Sequence, residues 1–294
     1  MDTRPASYAG FRLMAVHAHP DDESSKGAAT IALYSELGAE VMVCTMTAGE
    51  RGDILNPAVD RPEVQANLID VRRQEMASAA AILGIQHRFV GFIDSGLPAE
   101  GEPLPADSFA MAPLPETTAA LVRLIRDFRP HVIVTYDENG GYPHPDHIKT
   151  HQTAVAAFTA AADATHHPET GAPWQPLKLY YTCTHSKSYF QAIYQAMTTA
   201  GLTSPHSNVL DEWDDSTPTW EITTQIPCAA HFPTRHRALL AHETQVDPNG
   251  PAMSCPVPLE MTAWPTEDYH LAYTHVSTTF PENDLFAGIE LPTA

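Results

Sequence analysis

The stretch FRLMAVHAHPDDESSKGAATIALYSEL, residues 11–37, decides how the rest of the chain is read. Residues 11–18 are a short apolar run of strand length, and a polar turn around Pro20 follows. From residue 24 the pattern is helical until Gly38 stops it. The same alternation continues outward. VMVCTM is the core of a second strand at 40–46, a long helix covers 63–83 up to Gly84, and HRFVGF at 87–92 is a third strand. Residues 116–128 read as an amphipathic helix with Leu121, Leu124, Ile125 and Phe128 on one face. HVIVTY at 131–136 is a fourth strand, and a helix restarts near His147. Strands joined by helices in this order predict an α/β fold: a Rossmann-like, mostly parallel sheet flanked by helices.

The pattern weakens beyond residue 165. Segments 177–184 and 220–226 read as strands, and 235–243 as a helix. We therefore expect a Rossmann-like core over 1–165 that carries the chemistry. A smaller C-terminal α+β portion, 166–294, would complete the sheet and the substrate pocket. Two stretches, 48–62 and the proline-rich 94–115, read as long loops directly after strands. Loops of that length in a compact domain are usually functional or disordered, and open α/β sheets place ligands at such strand ends.

Two His/Asp segments fall at equivalent places in this scheme. His17-Ala-His-Pro-Asp-Asp-Glu23 follows the first strand, and Tyr142-Pro-His-Pro-Asp-His147 follows the fourth. Imidazole and carboxylate together suit a borderline cation such as zinc; iron(II) or cobalt fits the same donors. His19 and Asp22, three apart on a turn shaped by Pro20, can face one ion, and His147 would complete the set. Three protein ligands leave a position for water, the mark of a catalytic zinc site. Asp21 stands beside a ligand without being needed as one, so it can accept the proton of an attacking water. His144, as an imidazolium, could stabilise an oxyanion or protonate a leaving amine, with Asp146 orienting it. Carboxylates at a helix start often serve as caps, and Glu23 is the candidate for that role.

These segments resemble the signature of the LmbE-like (PIG-L) family of zinc N-deacetylases. Longer blocks, AVHAHPDDESSKGAAT, TAGERGDILNP, GFIDSGLP, FRPHVIVTYDENGGYPHPDHI, WPTED and LFAGIE, resemble its branch that acts on mycothiol S-conjugates. The resemblance is close over residues 11–151, returns near the C-terminus, and is weakest over 185–230. It implies a zinc-dependent amidase that cleaves the cysteinyl–glucosamine amide, releasing a mercapturic acid and glucosaminyl-inositol, in detoxification or natural-product biosynthesis. By position, His19, Asp22 and His147 would bind zinc and Asp21 would be the general base. His144 would stabilise the oxyanion with help from Asp146, and Tyr142 would contact the tetrahedral intermediate. Glu50, Arg72 and Asp94 would face the sugar and inositol. Lys26 would meet the thiol-conjugate end, and Gln245 also matches a family block. The sister activity, removal of acetate from N-acetylglucosaminyl-inositol, shares the zinc chemistry and is the alternative.

Composition narrows the remaining classes. The 294 residues carry 16 basic and 36 acidic groups, a formal charge of −20, which repels phosphate backbones and anionic membranes. We expect a small-molecule thiol conjugate as partner, with no nucleic acid and no membrane; the sequence permits a homo-oligomer. No apolar run approaches the roughly 18–20 residues that span a bilayer, and the N-terminus lacks signal-peptide features, so a cytoplasmic location is expected. Cys44, Cys183, Cys228 and Cys255 form no CxxC pair, which disfavours a disulfide framework. A nucleotide-binding fold would need GxGxxG or GxxxxGK[ST] where this chain has HAHPDDESSKG. A non-catalytic zinc sensor or scaffold would be expected to lose its base, yet Asp21 and His144 are both present.

Overall fold

The computed structural model describes residues 5–99, 101–184, 186–213 and 219–291. Parts of the divergent segment 185–230, residues 185 and 214–218, thus lie outside the described residues.

The chain opens with β1 (Arg12–His17), then α1 (Asp22–Ser25), α2 (Ala28–Glu36) and β2 (Glu40–Thr47). It continues with α3 (Pro62–Gln65), α4 (Leu68–Leu83), β3 (Gln86–Phe92), α5 (Leu114–Phe128), β4 (Val132–Thr135) and α6 (Pro145–Ala160). After β5 (Lys178–Thr182) come α7 (Lys187–Thr199), α8 (His206–Asp211), β6 (Thr224–Pro227), α9 (Phe232–Ala241), α10 (Val257–Ala263) and β7 (Thr266–Thr274).

The strands form one sheet in the order β3-β2-β1-β4-β5-β7-β6. β3 through β5 are parallel; β7 runs antiparallel to both β5 and β6. The fold is therefore the mostly parallel α/β sheet expected from the alternation. Side chains on successive strand residues point to opposite faces, and the core divides accordingly. Leu13, Ala15, Val41, Val43, Val132 and Val134 pack with α2, α4 and α9 on one face. Met14, Val16, Met42, Cys44 and Ile133 pack with α5 and α6 on the other. Strand order reverses at β1 and β4, which pair at Leu13↔Val132 and Ala15↔Val134. That reversal opens a crevice beyond the carboxyl ends of the two strands.

Two expected helices are each broken in two. Instead of one helix over 24–37, the chain makes α1, turns at Lys26, and restarts after Gly27. Gly27 has φ 105°, and a Cβ there would meet the Tyr269 hydroxyl at 2.9 Å. The helix over 63–83 is likewise interrupted between α3 and α4, at Ala66 and Asn67. In the C-terminal part, β6 begins four residues later than the expected strand, and α7, α8, α10 and β7 arise where no element was read. No helix among the described residues is long and apolar enough to cross a membrane.

Candidate metal centre

β1 delivers His17 and then His19; β4 delivers Tyr136 and then the turn leading into α6. His144 is the N-cap of α6, and Asp146 and His147 lie in its first turn. The two segments meet in the crevice. One donor atom each from His19, Asp22 and His147 lies within 4.8 Å of the other two, and all three residues are buried. A second group, His19, Asp94 and His144, satisfies the same criterion and shares His19.

Each donor is held by a neighbour, as ligand sets require. His147 Nδ1 donates to the Gly140 carbonyl at 2.9 Å, which leaves Nε2 as the free lone pair. That Nε2 is fully buried, 3.4 Å from Asp22 Oδ2, and has no hydrogen-bond partner among the described residues. A buried imidazole nitrogen facing a carboxylate without a bond is costly unless a cation completes it. The His147 ring stacks on Tyr136, with centroids 4.4 Å apart and an 8° interplanar angle. Gly140 allows this approach, since a Cβ there would lie 2.5 Å from the His147 Cβ.

Asp22 Oδ2 accepts from the Tyr136 hydroxyl at 2.8 Å and the His19 backbone N–H at 2.9 Å. Its Oδ1 accepts from Lys26 Nζ at 2.6 Å. Burial alone would raise the Asp22 pKa, but His147, Lys26 and His19 outweigh it and hold the carboxylate well below its usual range. Burial would lower His19, yet Asp146, Asp94 and Asp22 together raise it to about 10. This concentration of negative potential draws a proton to His19, and the same field would attract a cation. Donor chemistry, the partnerless His147 Nε2 and the local field therefore fit a divalent metal held by His19, Asp22 and His147.

Asp21 is half-buried beside this set. Burial and repulsion from Asp22 raise its pKa, against the lowering influence of Arg72. Glu23 accepts from the Asp21 N–H at 3.0 Å, but it is not the cap expected: Asp21 itself occupies the N-cap position of α1. The other Glu23 oxygen meets His242 Nε2 at 2.7 Å, a partner the sequence reading missed.

His144 differs from the expectation in two ways. Its Nδ1 accepts from the backbone N–H of Asp146 at 3.1 Å, so the main chain, and not the Asp146 carboxylate, orients the ring. The Asp146 carboxylate instead takes the Ser95 N–H at 2.8 Å and faces His19 Nε2 at 3.3 Å. Burial, with His19 and His147 nearby, pushes the His144 pKa down to about 3, so the ring is neutral at pH 7 where an imidazolium was expected. With Nδ1 accepting, the neutral ring carries its proton on Nε2.

Tyr142 stands over the centre, 45% exposed, its ring 4.5 Å from that of His147 and 5.8 Å from Lys26 Nζ. Lys26 is buried against Asp22 and borders a cavity of about 140 Å³ that Asn139, Thr182, Trp213 and Trp220 also line. Cys183 and Thr184 are shared with a larger cavity, about 310 Å³, whose walls include Tyr189, Phe190, Leu239 and Trp264.

The polar residues matched to the sugar end gather near His19 and Asp21. Glu50 accepts from the Asp94 N–H at 2.9 Å, and Asp94 Oδ1 lies 3.4 Å from His19 Nε2. Arg72 is buried and donates to the carbonyls of Pro20 at 2.8 Å and Gly49 at 3.1 Å, with Nε unpartnered among the described residues. Gln245 sits farther out, donating to the Asp53 carbonyl at 3.0 Å and so bracing the 48–62 loop. The sequence reading gave no role to Tyr136; its hydroxyl accepts from the Ala18 N–H at 3.0 Å while donating to Asp22.

Comparison with known proteins agrees with this geometry. Residues 14–158, from β1 through α6, match the family described as GlcNAc-PI de-N-acetylase, PIG-L. The chain is 49% identical over 286 residues to a mycothiol S-conjugate amidase of Streptomyces coelicolor, covering 95% of this chain and 97% of that one. It is 38% identical to a 1D-myo-inositol 2-acetamido-2-deoxy-alpha-D-glucopyranoside deacetylase of Geodermatophilus obscurus, over 95% of this chain and 98% of the other. Among solved structures, N,N'-diacetylchitobiose deacetylase of Pyrococcus horikoshii shares the fold, with a TM-score of 0.60 at 16% identity over 88% of this chain and 83% of that one. Both His/Asp segments lie inside the matched region, and the chain belongs to the PIG-L family.

Proposed function

We propose that this chain is a zinc-dependent amidase that hydrolyses the cysteinyl–glucosamine amide of mycothiol S-conjugates. The observation that carries the reading is the buried His19, Asp22 and His147 set, with His147 Nε2 facing Asp22 and without a hydrogen-bond partner among the described residues. The relative that is 49% identical over nearly the whole chain supports the substrate assignment. Zinc fits the donors, and iron(II) would fit them too.

The chemistry an ion supplies in a three-ligand site is polarisation of a carbonyl and acidification of water. The rest falls to the protein. Asp21, with its raised pKa, takes a proton from the attacking water as the new C–O bond forms. His144 presents Nε2–H, and Tyr142 its hydroxyl, to the oxygen on which charge develops. When the C–N bond breaks, the proton held by Asp21 passes to the leaving amine, giving a mercapturic acid and glucosaminyl-inositol. Asp146 contributes through its backbone N–H, which fixes the His144 tautomer. Glu50, Asp94 and the Arg72 edge would grip the polyol, with Gln245 steadying their loop. The S-substituent would extend past Lys26 into the cavity beside Trp213 and Trp220, so residues 166–294 complete the pocket of a core formed by 1–165. A cytoplasmic enzyme acting on a small thiol conjugate follows from this reading.

A second reading, the N-acetylglucosaminyl-inositol deacetylase, is favoured by relatives of that name at 34–41% identity. Release of free amine from a fluorescent mycothiol S-conjugate, beside the acetylated sugar, separates the two. The amidase should prefer the conjugate at least about tenfold in kcat/KM, roughly 1.4 kcal/mol of transition-state discrimination. Equal or reversed preference would replace the amidase with the deacetylase.

A further inference from the structure

Asp21 is held in a conformation that a non-glycine residue rarely adopts, φ 114° and ψ −26°. Backbone of this kind persists only where its surroundings over-determine it. Here the contacts can be followed outward. The Asp21 N–H donates to Glu23 Oε2 at 3.0 Å, and its carbonyl accepts from the N–H groups of Ser24 and Ser25, each at 3.0 Å. Arg72 fixes the preceding Pro20 carbonyl and approaches Asp21 Oδ2 at 3.6 Å. Glu23 is fully buried, and its other oxygen is gripped by His242 Nε2 at 2.7 Å and Ser24 Oγ at 2.5 Å.

His242 is also fully buried and follows directly on the last residue of α9. The turn after it is pinned from α4, where Glu75 accepts from both the N–H and the hydroxyl of Thr244 at 2.7 Å. A chain of contacts thus runs from the α4–α9 packing, through His242 and Glu23, to the backbone of Asp21. Among the described residues the His242 side chain makes no further hydrogen bond: its Nδ1 has no partner. A histidine included for packing alone would not direct its one hydrogen bond at the carboxylate that fixes the Asp21 N–H.

We infer that His242 is a positioning residue for Asp21, acting through Glu23. This rests on the reading of Asp21 as the proton acceptor. Without His242, Glu23 would lose the contact on Oε1 that aims its Oε2 at the Asp21 N–H, and Asp21 could relax away from the water it must meet. Positioning errors of this size act on the chemical step and leave ground-state binding largely intact.

Two amides of different reach test the inference. In His242→Gln the side-chain nitrogen can occupy the place of Nε2, whereas in His242→Asn it falls a methylene short. We expect kcat of the asparagine variant to be at least about tenfold below that of the glutamine variant, with KM within about threefold and metal content per chain unchanged in both. Equal kcat values, or a loss that appears in KM or metal content instead, would overturn it. A second arm is Glu23→Asp, which draws the carboxylate back from the Asp21 N–H; a normal kcat in that variant would also overturn it. Each ratio is read on whichever of the two candidate substrates the parent enzyme turns over. A wrong substrate assignment would therefore show in the parent and leave the ratios intact, and an Asp21→Asn variant as active as the parent would expose a wrong base.

Discussion

Around the carboxyl ends of β1 and β4, the groups that meet at the candidate metal centre come, Asp94 apart, from two short segments, 17–23 and 136–147. Near neighbours such as Lys26, Arg72 and Gly140 hold some of these groups, but the framework around them is tied from the other half of the chain. Glu267, on β7, accepts from the Ala29 and Thr30 N–H groups at 3.1 and 2.7 Å, capping α2 from 237 residues away in sequence. Glu282 accepts from Lys178, Tyr180 and Thr224, tying β5, β6 and the C-terminal segment together inside the core. His242 reaches Glu23 across 219 residues. The difference teaches that the chemistry is local in sequence and its support is not.

The sharpest way to break this division is to remove the local part alone. Asp21→Asn should lower kcat by about 10²–10⁴-fold, the usual contribution of a positioned general base, while metal content and thermal stability stay near those of the parent. Stripping the metal with a chelator should abolish turnover yet leave the far-UV circular dichroism unchanged, because the sheet and both core clusters are built without it. Loss of secondary structure on stripping would mean that the centre also holds the fold.

The support should fail in the opposite manner. Lys178 is fully buried, donating to Glu282 at 2.5 Å and to the Tyr180 hydroxyl at 2.9 Å. Lys178→Met leaves the Glu282 charge buried without its cation, which costs about 3–5 kcal/mol. Denaturant unfolding should show that loss, while the fraction that remains folded turns over at the parental kcat. A large fall in kcat per folded molecule would mean that the two regions are not separable.

This contrast also explains what could be read from the sequence. His19, Asp21, Asp22, His144 and His147 were legible because strand ends and Pro-shaped turns put them together within a few residues. Glu267, Glu282 and His242 were not, since nothing local marks an acidic residue or a histidine as buried and paired across the fold. β7 escaped for a related reason. Its sequence TEDYHLAYT begins with charges that normally argue for a loop, yet Glu267 and Asp268 are both buried, satisfied by helix N–H groups and by Trp264, Thr266 and Gln225. The break at Gly27 did leave a signal, the glycine itself, but a helical pattern tolerates a single glycine and so conceals the turn. His144 shows the limit of spacing arguments: its tautomer depends on a backbone N–H, and its charge on burial and two neighbouring imidazoles.

Tyr136 tests the boundary between the two kinds of residue, because it lies in a local segment but acts as support. Tyr136→Phe keeps the ring stacked on His147 and removes only the hydroxyl that serves Asp22, the Ala18 N–H and His17 Nδ1. Replacing such an outer partner of a ligand typically costs about 10–100-fold in metal affinity. Competition with a chromophoric chelator should show that loss, with kcat at saturating metal within about threefold of the parent. Unchanged affinity would mean that Lys26 and the His19 N–H hold Asp22 without help.

The smallest effect is expected at the outer wall. Trp220 is 39% exposed, donates from Nε1 to Glu138 at 2.8 Å, and lies against His270 with ring centroids 4.4 Å apart. It borders the cavity next to Lys26 but touches none of the metal-centre residues through a hydrogen bond or ring contact. Removing an aromatic wall from a half-open cavity forfeits part of the apolar contact with whatever enters it, about 1–1.5 kcal/mol here. Trp220→Ala should therefore raise KM for an aromatic S-conjugate by roughly tenfold and leave kcat unchanged. Turnover of the acetylated sugar, which has no S-substituent to reach the cavity, should stay at the parental level. If KM instead rises equally for both substrates, the tryptophan supports the centre as a whole, and the C-terminal half shapes the chemistry more directly than the contrast between the two regions allows.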